Sequence, residues 1–367
     1  MAHTKRLVIK LGTSVLTDGT RRLSQRRMLE LARQIAHLYD GGYQMVIVSS
    51  GAIAAGRQAL DYPELHPSLP AKQMLAAVGQ GRLIQLYSEL FSLFDIIVGQ
   101  VLLTRGDIAN RTGYLNARDT LLTLLDHRIL PIVNENDTVA TDEIRVGDND
   151  NLSALVANLV DADLLILLTD QNGLYTADPR THPDAELIPL VARIDETTWA
   201  QAGGTTSGLG TGGMVTKLQA AELAARSGTE TIIAPGALRD VLTLIAHGEP
   251  IGTRFLAQTT FVESRKRWLI SEKAQGMLIV DDGAADRLRN GGASLLPIGI
   301  SSVEGDFERG SPVYVATADG QPFALGLINY DADETGQLVR VQSRAITEKL
   351  GYTYGDEIIH RDNLILL

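Results

Sequence analysis

The 367-residue chain contains no cysteine. That absence removes a disulfide framework, a thiolate zinc site and a cysteine nucleophile together, and it fits a reducing compartment. Long apolar runs are missing as well: stretches such as Leu164–Leu168 fall far short of the ~18 residues that a membrane span needs. The start, Met1-Ala2-His3-Thr4-Lys5-Arg6, resembles a signal n-region. Lys10 then interrupts Leu7-Val8-Ile9-Lys10-Leu11, and no small-residue cleavage site follows. The expectation is a soluble, cytoplasmic protein with no membrane partner. Positive charge is also scarce, with 33 Lys and Arg against 44 Asp and Glu, a net charge of −11. From Gln275 to the C-terminus, 7 basic residues face 14 acidic ones, so that stretch alone carries −7. Nucleic-acid binders neutralise phosphates with Lys and Arg, so this tail argues against RNA as a partner.

What remains is an ordinary globular composition, 44% hydrophobic, in a chain long enough for roughly two domains of about 150 residues. Over the first 250 residues, short apolar runs alternate with helical spacing. Leu7–Leu11, Met45–Val48, Ile96–Val98, Ile129–Val133 and Leu164–Leu168 read as strands. Ser24 stands where an N-cap belongs, ahead of Met28, Leu31, Ala32, Ile35 and Leu38 at helical spacing, and Gly41-Gly42 ends that helix. Strands apolar throughout are buried on both faces, which implies an open, mainly parallel α/β sheet sandwiched by helices. Near residue 255 the rhythm changes. A short basic segment, Phe261–Trp268, precedes β-branched runs such as Val313-Tyr314-Val315, punctuated by Gly291-Gly292, Gly305-Asp306 and Asp319-Gly320. The division expected is a domain over 1–258, a linker over 259–274 and a small β-rich module over 275–367.

Open parallel sheets bind ligands beyond the carboxyl ends of their strands, so the loops there draw attention. In Lys10-Leu11-Gly12-Thr13-Ser14 a lysine ends a buried strand, a costly place unless an anion meets it. A lysine snorkelling from the strand end reads the same way. Ser49-Ser50-Gly51-Ala52 opens a small-residue helix whose free amides suit an anion, or whose small side chains suit tight packing on the sheet. Asn134-Glu135-Asn136-Asp137 and Gly147-Asp148-Asn149-Asp150-Asn151 suit a polar, amine-bearing ligand or a metal, or else a solvated loop with a capped helix. Gly208 to Gly213 spells GxGxxG, yet the stretch before it, Gln201–Ser207, is polar where a dinucleotide site needs a strand. Nor is it GxxxxGK[ST], because no glycine directly precedes Lys217 and Leu218 follows it. What is left is a glycine loop with a cation at a helix start, against the helix dipole, an arrangement that an anion would justify. The run from Thr169 and Asp170 to Arg180 reads as a further strand-end loop.

Together, Lys10–Ser14, Ser50-Gly51-Ala52, Thr169–Arg180 and Gly208–Lys217 resemble the amino acid kinase family, and the tail resembles a PUA module. The likeness covers nearly the whole chain. It is to the branch that phosphorylates L-glutamate, since a regulatory ACT module, an end at the kinase domain or a fused dehydrogenase would mark other members. The resemblance implies an amino acid kinase fold and transfer of the γ-phosphoryl group of ATP to the γ-carboxylate of L-glutamate. It implies Lys10 and Lys217 as the charge-stabilising pair, with Asp150 orienting them. By the same likeness Ser50, Asp137 and Asn149 contact glutamate, Asp137 pairing with the α-ammonium and the other two donating to carboxylates. Lys10, Gly12, Gly51, Thr169, Asp170, Thr211, Gly212, Gly213, Met214 and Lys217 would contact the nucleotide. Mg²⁺ is the implied cofactor, with no protein ligand assigned to it. Proline as a feedback inhibitor and a homo-oligomer, a tetramer, follow from the likeness as well.

Overall fold

A computed structural model of the chain describes residues 5–66, 68–139, 148–203, 213–261, 263, 269 and 273–367. Packing divides the chain into two units, Met1–Ala109 with Asn116–Thr260, and Asn110–Leu115 with Phe261–Leu367. Most of the basic segment Phe261–Trp268 lies outside the described residues.

The first unit is built on eight strands: β1 (Arg6–Leu11), β2 (Gln44–Ser49), β3 (Val98–Leu103), β4 (Leu130–Glu135), β5 (Leu164–Thr169), β6 (Leu190–Val191), β7 (Glu230–Pro235) and β8 (Thr253–Phe255). They lie in the order β3-β4-β2-β1-β5-β7-β8-β6. Every pairing from β3 to β7 is parallel; β8 runs antiparallel to β7, and β6 runs parallel to β8. The central strands are apolar on both faces because helices cover both, and Leu7, Val8, Ile9, Val46, Ile47, Leu165 and Ile166 are each at most 1% exposed. Helix Gln25–Asp40 starts at Ser24, whose hydroxyl accepts the Arg27 amide at 3.2 Å.

One strand begins later than its apolar residues indicate. Ile96-Ile97-Val98 was expected as a strand, but Asp95 turns left-handed at φ 56° and the Ile96 amide still bonds back to Phe91. β3 therefore starts at Val98. It is an edge strand, so its residues are not uniformly buried and the apolar run that marks the central strands is absent.

Two helices next to β2 pack backbone on backbone. A Cβ on Gly79, in helix Leu69–Ser92, would lie 1.8 Å from the Ala52 carbonyl oxygen, and one on Gly56 would lie 1.9 Å from that of Leu75. Neither position has room for a side chain, so helix Ala52–Ala59 is seated directly on its neighbour.

The second unit carries β9 (Gly276–Val280), β10 (Ile300–Gly305), β11 (Pro312–Ala316), β12 (Pro322–Leu327) and β13 (Leu364–Leu366), in the order β10-β9-β11-β12-β13. Its core holds Leu278, Val280, Val313, Val315, Tyr330 and Ile359. Helices Asp282–Gly291 and Ala332–Leu338 also belong to it, started by Asp281 and by an Asp331–Glu334 capping box. Among the described residues no helix is long and apolar enough to cross a membrane.

Candidate active site

Parallel pairing brings the carboxyl ends of β1, β2, β4 and β5 to one level. Lys10 pairs with Val48 and Leu167, and Val48 with Val133, so the residues just beyond them open onto a common crevice. A cavity of about 600 Å³ lies there. Its walls include Lys10, Ser50, Asp137, Asn149, Thr169 and Lys217, which come from separate strand ends and helix starts.

Its electrostatic centre is one carboxylate between two ammonium groups. Asp150, in helix Asp148–Leu159, is fully buried. Its Oδ1 stands 2.6 Å from Lys10 Nζ and its Oδ2 3.1 Å from Lys217 Nζ. The Thr216 hydroxyl donates to Oδ2 at 2.8 Å and also reaches the Gly213 carbonyl at 3.0 Å. Burial pushes the Asp150 carboxyl up, but the charges and hydrogen bonds of Lys10 and Lys217 outweigh that, with Thr216 adding to them, and hold it below its ordinary value. Burial holds the Lys10 ammonium below the usual lysine range, with Lys217 adding to it against the pull of Asp150. Two cations on one anion leave a local excess of positive charge in a desolvated place, which is what an incoming polyanion requires.

Beside this centre lies a set of amides. The Asn149 side-chain nitrogen lies 3.0 Å from the Ser49 carbonyl, the Ser50 hydroxyl and Asn134 Oδ1. Asn149 was expected to donate to a substrate carboxylate. Its NH₂ is instead engaged by protein acceptors, and its Oδ1 is buried with no partner among the described residues. Ser49 is locked in turn by the buried Tyr87 hydroxyl at 2.8 Å. Asp137 lines the cavity, and burial raises its carboxyl above the ordinary range.

The remaining residues singled out in the sequence divide cleanly. Gly51 caps helix Ala52–Ala59 at φ 102°, a left-handed conformation that favours glycine, and it lines the cavity. Gly12 has an extended backbone open to any residue, but a Cβ there would sit 3.5 Å from Lys10 Nζ, inside the space the lysine faces. Thr169 donates to the Asp170 carboxylate at 3.0 Å, and both line the cavity. Gly213 and Met214 start helix Met214–Ser227 without lining it, although the Gly213 carbonyl lies 3.5 Å from Lys217 Nζ. Thr211 and Gly212 lie outside the described residues. Sequence reasoning passed over Asn134 and Glu135 as individual site residues, although it quoted their run, and over Thr216, Arg57 and Lys72. Thr216 had a usable signal, standing next to a helix-start lysine; Arg57 and Lys72 are ordinary helix cations in sequence.

The chain matches the pattern of the amino acid kinase family over residues 5–235 and that of the PUA domain over residues 276–350. A glutamate 5-kinase of Deinococcus radiodurans is 55% identical over 362 residues, covering 99% of this chain and 100% of that protein. One from Sodalis glossinidius is 55% identical over 366 residues, covering both chains in full. Among solved structures, a UMP kinase from Bacillus anthracis superposes with a TM-score of 0.49 at 18% identity, over 70% of this chain and 97% of that one.

Proposed function

The chain belongs to the amino acid kinase family and carries a PUA domain after the kinase segment; on that footing we propose that it phosphorylates L-glutamate. The reaction moves the γ-phosphoryl group of ATP to the γ-carboxylate, giving L-glutamyl 5-phosphate and ADP, the first step of proline synthesis. Support comes from relatives named glutamate 5-kinase at 55% identity across the full chain. The observation that carries the chemistry is the pair of ammonium groups on one buried carboxylate, at 2.6 and 3.1 Å.

A carboxylate acceptor is already ionised at neutral pH, so the reaction needs no general base. Its difficulty is to bring two anions into line and to absorb charge on the moving phosphoryl group. Lys10 and Lys217 supply positive potential at that point, and Asp150 keeps both ammonium groups in register for it. The Gly51 amide serves the γ-phosphate. Asp137 and Asn149, with Ser50, hold glutamate; Thr169, Asp170 and the Thr211–Lys217 loop hold the nucleotide. The Asp170 carboxylate in the cavity wall is a hard oxygen donor that would hold Mg²⁺ or its water ligands. When bound, the ion neutralises phosphate charge. Feedback inhibition by proline, a tetrameric assembly and a cytoplasmic location belong to the same proposal.

The deciding experiment is ATP-dependent hydroxamate formation from L-glutamate, aspartate and N-acetylglutamate, with and without proline. Activity with L-glutamate alone, reduced by proline, is the expected result. Preference for either of the other acceptors would overturn the substrate assignment.

A further inference from the structure

Three carboxamides, Asn134 and Asn149 in the cavity wall and Gln80 behind it, form a relay whose orientation the backbone dictates. Asn134, near the end of β4, is 2% exposed. Its side chain accepts the Glu135 amide at 2.9 Å, so the atom facing that N–H is oxygen. Asn149 faces both this oxygen and the Ser49 carbonyl at 3.0 Å; two acceptors there require its NH₂. The Asn134 NH₂ points the other way and donates to Gln80 Oε1 at 2.8 Å. Two main-chain groups therefore settle which way Asn134, Asn149 and Gln80 are turned. Gln80 follows Gly79, the point where helix Leu69–Ser92 has no space at all against Ala52. The acceptor is thus delivered from the most tightly seated position of that helix.

We propose that Gln80 is a positioning residue for the amino-acid substrate. It does not line the cavity. It acts through Asn134, whose oxygen holds the Asn149 NH₂ and so leaves the Asn149 carbonyl oxygen as the uncommitted atom. Asn149 lines the same cavity as Asp137, and its oxygen, buried and unpartnered behind that wall among the described residues, is an acceptor suited to the α-ammonium of an amino acid that reaches it. This inference rests on the glutamate reading of the site. Without an acceptor at position 80, a buried NH₂ on Asn134 is stranded, and rotation of Asn134 to relieve it would turn a donor toward the NH₂ of Asn149.

The test uses the full chain with Gln80→Met, which keeps length and packing but offers no strong acceptor, and Gln80→Glu, which keeps the acceptor. Gln80→Met is expected to raise KM for glutamate roughly 10- to 100-fold, the scale of an unsatisfied buried donor. KM for ATP should stay within about twofold, because the ion-paired centre is untouched, while Tm falls by a few degrees from the stranded Asn134 NH₂. Gln80→Glu should keep KM for glutamate within about threefold of the parent. The inference falls if Gln80→Met leaves KM for glutamate unchanged, if both Michaelis constants rise together, or if Gln80→Glu is as impaired as Gln80→Met. Should Gln80→Met fail to fold, Gln80→Glu decides alone, and a large rise in its KM for glutamate overturns the inference. A parent that forms no glutamyl hydroxamate overturns the activity reading and this inference with it. An active parent whose variants show no split overturns the positioning role only.

Discussion

Asparagine in place of Asp150 keeps the shape of the side chain and removes the charge on which the site turns. Asp150 is fully buried and meets Lys10 at 2.6 Å and Lys217 at 3.1 Å. At an effective dielectric of about 20, each contact is worth roughly 5 to 6 kcal/mol before desolvation is counted. Asparagine offers one acceptor oxygen, so its NH₂ must face one of the two ammonium groups, and both cations remain buried without a counter-charge. Breaking a buried pair in this way costs about 3–5 kcal/mol. For a unit of this size, that lowers Tm by roughly 6–20 °C.

The pH dependence of that gap follows from the sign of the Asp150 shift. Its carboxyl is held below the ordinary 3.8, so its stabilisation is present above the unfolded-state value and is lost as pH falls through the lower, folded-state value. The difference in Tm should therefore stay open down to about pH 4 and close only in stronger acid. Nucleotide should narrow it, because phosphates bring negative charge to the same ammonium groups, and ADP should raise Tm more in Asp150→Asn than in the parent. Thermal unfolding with and without ADP, beside a hydroxamate assay expected to show at least a roughly 100-fold loss of kcat, reads both effects. An unchanged Tm without nucleotide, or equal shifts with ADP, would refute the coupling of the three groups.

Lys10→Ala and Lys217→Ala should each lower kcat at least roughly 100-fold, and near-normal turnover at saturating substrate in either variant would remove the two-lysine role. Asp137→Ala should chiefly raise KM for glutamate; a change confined to KM for ATP would move Asp137 to the other half of the site. Burial holds the Asp137 carboxyl above 3.8, so KM for glutamate should climb as pH falls through that raised value and the carboxylate that pairs with an ammonium is lost. Asp137→Asn should abolish this rise, and a persistent rise would assign it to the substrate's own carboxyl. Gly79→Ala would place a Cβ 1.8 Å from the Ala52 carbonyl oxygen, so a loss of about 1–3 kcal/mol or more is expected in denaturant unfolding. An unaltered midpoint would contradict the backbone contact.

The central strands were readable because burial on both faces leaves only apolar side chains in Met45–Val48 and Leu164–Leu168 and, Lys10 apart, in Leu7–Leu11. β3 and the two-residue β6 lie at the sheet's edges, where one side meets solvent and composition stops being diagnostic. Helices Asp282–Gly291 and Ala332–Leu338 went unread in a tail judged by its strands and glycines, although Asp281 and the Asp331–Glu334 pair were visible caps.

In the site, Lys10 and Lys217 drew attention because a cation at the end of a buried strand, or at a helix start against the dipole, is costly without an anion, although a snorkelling lysine reads the same way as Lys10. Asp150 did not, since in Gly147-Asp148-Asn149-Asp150-Asn151 each polar residue could equally cap a helix. The amino-acid order determined the parallel sheet, the strand-end loops and the residue types within them, because periodicity and turn chemistry act over a few positions. Only the folded chain decided that Asp150 holds both Lys10 and Lys217, the latter 67 residues further on, and that Gln80 stands behind Asn134. Those pairings depend on where helices and loops converge at the strand ends, and charge and hydrogen-bond geometry act through space rather than along the chain.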